Sequence, residues 1–407
     1  MERQMAKRSG PARITILLEN HPYPRDTRVW LHAEALASEG YQVTVISPRG
    51  KGQPGHEVVN GVRAYHFRLP TGGTSAPAFL LEYSVATLMM TLLTLWVWLR
   101  RGLDILTIYN PPDSLFVAGL LPRLMGKTII YDLRDLAPET YMAKFRQPSQ
   151  ALYRAQLWLE RVICQLAHHV VTVNESYRQL VIRRDGKRPE QVTIVRQGPN
   201  LDRMQGIEPD QSIRDRAGSI IAFLGNMSAQ DGIDHLLQAL HHLGRLGHTD
   251  WYCLLIGPAD DPQGILKMAA ELGLGERVRL TGLLAGEQWM RLVAAADIGV
   301  EPAPSNVIND LCTVNKIMDY MAFSKPVVAY DLPEHRVTAG DTALYAEGND
   351  PLNFAQKIAA LIEAPALRSD LGQQGRRRVE EHLAWSFQRT RLLSLYREIA
   401  GGQCPEA

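Results

Sequence analysis

The stretch Asn309-Asp310-Leu311-Cys312-Thr313-Val314-Asn315-Lys316-Ile317-Met318-Asp319-Tyr320-Met321-Ala322-Phe323-Ser324-Lys325-Pro326-Val327-Val328-Ala329-Tyr330-Asp331 decides how this chain is read. It predicts a loop, a short helix, a tight turn and a buried strand. Thr313 is placed to cap the helix, and Pro326 follows its end. Asn315, Lys316 and Asp319 stand at i, i+1 and i+4 and are expected to share one side of the first turns. A helix N-terminus attracts anions, and a lysine there adds a full positive charge. Asp319, one turn later, can accept hydrogen bonds from hydroxyls. Such a surface suits a diphosphate and a ribose together. The same residues also fit an exposed helix start with an ordinary Lys316–Asp319 pair, and on this stretch alone that plainer reading leads.

On both sides of this stretch, strand and helix patterns alternate. β-rich runs at 14–18, 43–47, 62–67, 105–109, 128–131, 170–173 and 192–196 are separated in places by amphipathic stretches such as 29–38 and 151–168. Residues 197–210 are polar and rich in Gly and Pro, which marks a linker. A second series follows, with strands at 220–224, 252–256, 278–281, 298–301, 327–330 and 343–345 and helices between them. Two such runs predict two parallel sheets, each covered on both faces. The expected division is a first domain over 12–198, a linker over 199–215, a second domain over 216–385, and a helix over 386–400 that crosses back to the first. Ligands of such sheets bind beyond the carboxyl ends of the strands, and two domains joined by one linker would face each other there across a cleft.

Composition excludes several classes. The chain has 407 residues, 45% apolar and 21% charged, with a net charge of +1. That is a globular balance with no broad electrostatic case for nucleic acid. Cys164, Cys253, Cys312 and Cys404 are scattered and form no CxxC pair, which fits a reducing cytoplasm and neither a zinc site nor a disulfide framework. The twelve histidines contain no HxxxH or HExxH pattern, so no metal is expected. No turn carries GxGxxG or GxxxxGK[ST], which counts against a dinucleotide oxidoreductase and a P-loop NTPase. The first apolar run, 14–18, is too short for a signal-peptide core, so the expected location is cytoplasmic.

One segment departs from the soluble pattern. Residues 83–99 carry no charge and are closed by Arg100 and Arg101. They fall at the short limit for a membrane span, for which about 20 residues are usual. Trp96 and Trp98 beside two arginines resemble an interfacial anchor facing anionic lipid. A buried helix of an α/β domain fits equally well. The reading adopted is an apolar membrane-associating segment, 79–101, that docks on the inner leaflet without crossing it.

Taken in order, the motifs resemble a family 4 glycosyltransferase of the GT-B fold, over nearly the whole chain. Pro24-Arg25-Asp26-Thr27-Arg28-Val29-Trp30 resembles the first loop and helix of that family, and Asn110-Pro111-Pro112-Asp113 its NPPD turn. Tyr131-Asp132-Leu133-Arg134-Asp135-Leu136-Ala137-Pro138-Glu139 resembles a D-H-H-D-L-x-P-E box. Asn174-Glu175 and Arg196-Gln197-Gly198-Pro199-Asn200 resemble strand ends before the linker. Gly225 to Asp234 resembles G-x-M-x-x-Q-D-G-x-D, and Asn309 to Pro326 resembles N-D-x-S-T-M-N-K-I-M-E-Y-M-A-x-G-K-P. The match is nearest the branch that builds cell-surface polysaccharide on polyprenyl-linked acceptors. The resemblance implies two Rossmann-like domains and a retaining, metal-independent hexosyl transfer. The sugar would come from a nucleotide-diphosphate sugar (UDP- or GDP-linked) and pass to a lipid-linked saccharide. No cofactor is implied beyond that co-substrate.

The resemblance also implies site residues. Asp319 matches the second acid of an E-x7-E element that holds the ribose, one methylene shorter than the usual Glu. The first acid falls on Leu311, so the donor-sugar contact moves to the neighbouring Asp310, which also fits a turn residue. Lys316 is the candidate diphosphate cation, beside Asn315, Gly225 and Asn226. Asn226 and Asp231 occupy positions where many members carry Arg and Lys. Arg196 is a further donor-side candidate, or a structural ion pair. Arg134 replaces a histidine that faces the donor sugar, and an always-charged guanidinium cannot act as a neutral donor and acceptor. It also fits a pair with Asp132 or Asp135. Asp135 is grouped with Arg134 and Asp310 as catalytic, with a loop-orienting role. Arg25, Asp26 and Arg28 are acceptor-side candidates, against the plainer reading of Asp26 as a helix cap and Arg28 as a solvated charge. The departures at Leu311, Arg134, Asn226 and Asp231 motivate an alternative, a catalytically weak nucleotide-sugar-binding scaffold. A nucleotide-sugar epimerase of the same fold is a third.

Overall fold

A computed structural model describes residues 10–69, 76–144 and 148–401. It separates into two units. The first comprises Met1–Met142, Gln147–Arg196 and Arg389–Ala407, and the second Ala143–Arg146 and Gln197–Gln388.

The first unit is built on an eight-stranded sheet. In chain order its strands are β1 (Arg13–Leu17), β2 (Gln42–Pro48), β3 (His56–Val59), β4 (Val62–Phe67), β5 (Ile105–Tyr109), β6 (Thr128–Leu133), β7 (His169–Thr172) and β8 (Val192–Ile194). Their spatial order is β3-β4-β2-β1-β5-β6-β7-β8, parallel except for the β3–β4 pair. Strands β1 and β5 are buried almost throughout, as expected of apolar runs covered on both faces. Three helices matter below: α1 (Thr27–Ser38), α2 (Ala76–Arg101) and α3 (Phe116–Leu124).

Helix α2 connects β4 to β5 within this sheet. Ala86, Met90, Thr94 and Val97 face inward and are buried, at helical spacing. Thr87 Oγ1 bonds Ser114 Oγ at 2.7 Å, and Arg101 Nε donates to Tyr65 Oη at 3.2 Å. A bilayer crossing would place β1–β4 and β5 on opposite sides, yet β1 and β5 pair residue by residue. Sheet connectivity therefore excludes α2 as a span in this fold.

The second unit carries a six-stranded, fully parallel sheet. Its strands are β9 (Ser219–Leu224), β10 (Trp251–Ile256), β11 (Val278–Leu280), β12 (Ile298–Glu301), β13 (Val327–Tyr330) and β14 (Ala343–Ala346), in the order β11-β10-β9-β12-β13-β14. Apolar clusters cover both faces. One is centred on Phe223, Leu236, Leu255 and Phe354, the other on Ile220, Leu254, Met318 and Met321.

Residues 199–215 are not a free connector. They form a turn at Leu201–Met204 and a short helix at Gln211–Arg214, and Met204 and Ile213 join the second core. Gly and Pro reported backbone turns there, while two apolar side chains decided the packing. At the C-terminal end, the helix Pro365–Arg378 runs through a wide turn, Val379–Leu383, into a helix at Trp385–Ile399. Within the first unit, Tyr396 bonds Thr107 at 2.6 Å, and Arg389 and Arg397 pair with Glu39.

Candidate active site

In open α/β sheets, ligands gather where strand order reverses, beyond the carboxyl ends. The second sheet reverses between β9 and β12, and the stretch Asn309–Asp331 lies there. Helix Asn315–Ala322 follows the loop after β12. Tyr320, fully buried, anchors it: its hydroxyl accepts from Leu224 N at 2.7 Å and donates to Val300 O at 3.3 Å. The ring passes so close to β12 that a Cβ on Gly299 would sit 2.3 Å from it.

Lys316 points inward. It is 8% exposed, and its ammonium lies 2.8 Å from Glu301 Oε2, an ion pair whose angles fall outside hydrogen-bonding geometry. Asp231 Oδ1 is 3.9 Å away, and the Phe223 ring lies under the ammonium at 4.1 Å. Gly225 (φ +139) leaves room for the lysine stem, since a Cβ there would come within 3.2 Å of Lys316 Cε. This corrects two expectations. Lys316 does not pair with Asp319, and its charge is already met by Glu301. One residue along a helix is a turn of about 100°, so Asn315 is exposed while Lys316 is enclosed.

Thr313 is not the helix cap. Its hydroxyl donates to Glu334 Oε2 at 3.1 Å, and the capping position falls on Val314, which supplies no side-chain acceptor. The first amides of the helix are thus not filled by a capping side chain, the condition under which a helix start receives an anion. Asp319 is half-buried, and burial alone raises its carboxyl to about 7. Asp310 Oδ2 accepts from Ser305 Oγ at 3.2 Å, while its enclosed Oδ1 meets no hydrogen-bonding partner among the described residues. Asn309 holds this loop by donating to Gln230 O and Pro304 O. Asn226 is exposed, and Asp231 accepts from the amide and hydroxyl of Ser228.

The first sheet reverses between β1 and β5. Asn110, at the end of β5, is fully buried. Its Oδ1 accepts from the amides of Arg134 and Asp135, and its Nδ2 donates to Asp135 O. Arg134 donates from Nε to Asn110 O at 2.9 Å and from Nη1 to Asp26 Oδ2, with Asp135 Oδ2 3.7 Å away. Its main partner is therefore Asp26, not Asp132. Asp26 also caps α1, accepting from Val29 N at 3.0 Å. Arg28 is not solvated: it is 2% exposed and meets both oxygens of Asp132 at 3.0 Å, with Nη1 donating to Val195 O. Arg25 is exposed, and Arg196 is buried in the first unit.

Two acids escaped the sequence reading. Glu301 is the last residue of β12 and fully buried. Glu19, just past β1, is 3% exposed, and its Oε1 meets no hydrogen-bonding partner among the described residues. Burial, then the charge of Glu82, raises Glu19 to about 7 against the pull of Arg134. The available signal was an acid ending an otherwise apolar central strand, at Leu17-Leu18-Glu19 and at Gly299-Val300-Glu301.

Two parallel-sheet domains with polar clusters at both switch points define a GT-B protein. Residues 26–198 match the model of a glycosyl transferase 4-like domain, and residues 218–364 that of glycosyl transferases group 1. The chain belongs to the GT-B glycosyltransferases of the family 4 type. It is 28% identical over 275 residues to alpha-maltose-1-phosphate synthase of Mycolicibacterium smegmatis, covering 61% of this chain and 67% of that one. It is 28% identical over 265 residues to D-inositol 3-phosphate glycosyltransferase 1 of Catenulispora acidiphila, covering 61% and 62%. The match thus spans about two thirds or less of these relatives' lengths. Sucrose-phosphate synthase from Thermosynechococcus elongatus has a similar fold, with TM-score 0.75, 18% identity and coverage of 96% of this chain and 100% of that one. Anabaena HepE in complex with UDP and glucose has TM-score 0.72, 16% identity and coverage of 95% and 100%.

Proposed function

We propose that this chain transfers a sugar from a nucleotide-diphosphate sugar to a saccharide acceptor, with retention of anomeric configuration and without a metal. The observation that carries the reading is the helix Asn315–Ala322, set at the switch point of the second sheet with its first amides uncapped. In this reading the diphosphate rests on those amides and on Asn315. Charge developing on the departing diphosphate is then met by fixed dipoles that need no reorganisation. Asp319 holds the ribose, and the open oxygen of Asp310 takes a donor-sugar hydroxyl. Lys316 acts from behind, keeping Glu301 neutralised so that the phosphate pocket is not repelled by a buried carboxylate. The complex of HepE with UDP and glucose supports a nucleotide-sugar donor.

The acceptor we propose is a lipid-linked saccharide of cell-surface polysaccharide or glycolipid assembly, met at the cytoplasmic face of the membrane by the first unit. Arg25, Asp26, Arg134 and Asp135 would shape that side, with Arg134 fixing the loop. The relatives named for maltose 1-phosphate and inositol 3-phosphate chemistry make phosphorylated soluble acceptors the necessary control. Turnover of UDP- and GDP-sugars would be measured with polyprenyl-linked saccharides, with sugar phosphates and with no acceptor. Product with inverted anomeric configuration, or turnover restricted to sugar phosphates, overturns the reading.

A second reading has its own observation. Leu311 stands where an acid is expected, Arg134 is engaged by Asp26 and Asn110, and the Lys316 ammonium is enclosed. A nucleotide-sugar-binding scaffold accounts for all three. Tight nucleotide binding without turnover on any acceptor selects it.

A further inference from the structure

Helix α2 does not act alone. Opposite its buried face, Leu81, Leu88, Leu92, Trp96 and Leu99 are exposed, Leu99 at 86%. Their spacing places them on one stripe of the helix. Helix α3 packs beside α2 and exposes Val117, Leu120, Leu121 and Leu124, the last at 82%, followed by Met125. The helix Gln150–Leu166 packs beside α3 in turn, exposing Leu152 and Trp158, and Trp158 meets Phe116 edge-on at 6.5 Å. Soluble surfaces scatter single apolar residues but do not align them across three neighbouring helices.

The fully exposed charges on these helices are all positive. Arg100, Arg101, Arg123, Arg154 and Arg161 are exposed, whereas the acids are Glu82, at the start of α2, and Glu160, which is buried. An apolar face with a basic rim is complementary to a bilayer carrying anionic headgroups, and no comparable match exists to a second copy of the same basic face. The first half of α2 also borders the turn that follows β5 and Asn110, since Thr87 Oγ1 bonds Ser114 Oγ at 2.7 Å.

We infer that α2, α3 and the helix Gln150–Leu166 form one monotopic face that seats the first unit on anionic lipid, so that the polar cluster at the end of β1 opens next to the membrane surface. This deepens the proposed lipid-linked acceptor and rests on that reading only for its purpose; the seating itself is a separate property.

The test is co-sedimentation of the full chain with vesicles of phosphatidylcholine, alone or mixed one-to-one with phosphatidylglycerol. The wild-type chain binds the anionic vesicles at least tenfold better than the neutral ones. Leu92→Glu combined with Leu124→Glu, both at exposed positions, lowers anionic-vesicle binding at least tenfold while the circular dichroism and nucleotide binding stay unchanged. Arg100→Glu with Arg154→Glu removes the preference for anionic lipid, and Trp158→Ser weakens binding several-fold. Wild-type indifference to vesicles overturns the proposal. So does a double variant that still binds, a loss confined to α2 substitutions, or a wild-type dimer that the double variant converts to monomer. Failure here with intact donor turnover on a water-soluble saccharide leaves the transferase reading standing, and the reverse result separates the two equally well.

Discussion

Each unit places an acid beside the switch point of its sheet, past β1 in the first and at the end of β12 in the second, and the two are treated in opposite ways. Glu301 closes β12 and is met by the Lys316 ammonium at 2.8 Å. Among the described residues Glu19, which follows β1, has no cation in direct contact, because Arg134 is held by Asp26 and Asn110. The first carboxylate is a buried charge with a partner. The second is a buried carboxyl that avoids charge, raised to about 7 by its surroundings. The lesson is that position at a switch point does not set an acid's chemistry. The free or committed state of the neighbouring cation does.

The sharpest break of this comparison is Lys316→Ala. If Glu301 depends on Lys316, the substitution leaves an uncompensated buried charge and lowers unfolding stability by about 3–5 kcal/mol. Urea titration checks this, and Lys316→Met with Glu301→Gln recovers most of the loss. A stable Lys316→Ala protein that loses only diphosphate binding would restore Lys316 as a free phosphate cation and end the comparison.

Next in size is the paired neutralisation of the two acids. Glu19 titrates near 7 when folded against 4.5 when unfolded. The folded state therefore holds its proton longer, and stability falls as pH rises through that window. Glu19→Gln should raise stability at about pH 8 by up to about 3 kcal/mol and change little near pH 4. Glu301→Gln should lower stability at about pH 8, because it strands the lysine. Equal signs for the two substitutions would erase the distinction.

Asn110→Ala removes the acceptor of two amides and the donor to Asp135 O. A loss of about 1–3 kcal/mol is expected, with a larger proportional fall in turnover than in nucleotide affinity. Thermal unfolding and steady-state kinetics on the same sample test it. The smallest effect concerns Asp319. Its carboxyl, near 7, must ionise to accept both ribose hydroxyls, so nucleotide affinity should rise up to about tenfold from pH about 6 to about 8. Asp319→Asn flattens that profile if the ribose assignment is right.

Much of the architecture was legible in the chain. Apolar runs of four to seven residues, separated by amphipathic stretches, predict doubly covered parallel strands, and both sheets have that character. The end of the helix after Val314 also follows from local pattern, with Pro326 beyond it. Side-chain direction did not. Asn315 and Lys316 are neighbours in sequence, but one faces solvent and the other the sheet, and the docking of Ile317, Met318, Tyr320 and Met321 in the core fixes that rotation. Thr313 has the chemistry of a cap, yet Glu334, twenty-one residues on, claims its hydroxyl. Residues 199–215 have a linker's composition, yet Met204 and Ile213 pack into a core.

Periodicity, turn residues and motif order are local properties, so the residue string carries the two-sheet plan, the donor-helix candidate and the apolar segment 79–101. Ion-pair partners and exposed faces are set by residues far apart in the chain. Folding alone brings Glu301 to Lys316, Arg28 to Asp132 and Arg134 to Asp26, and turns the apolar sides of three helices outward together. Burial then settles which charges remain available for chemistry, because a desolvated charge cannot persist without a partner.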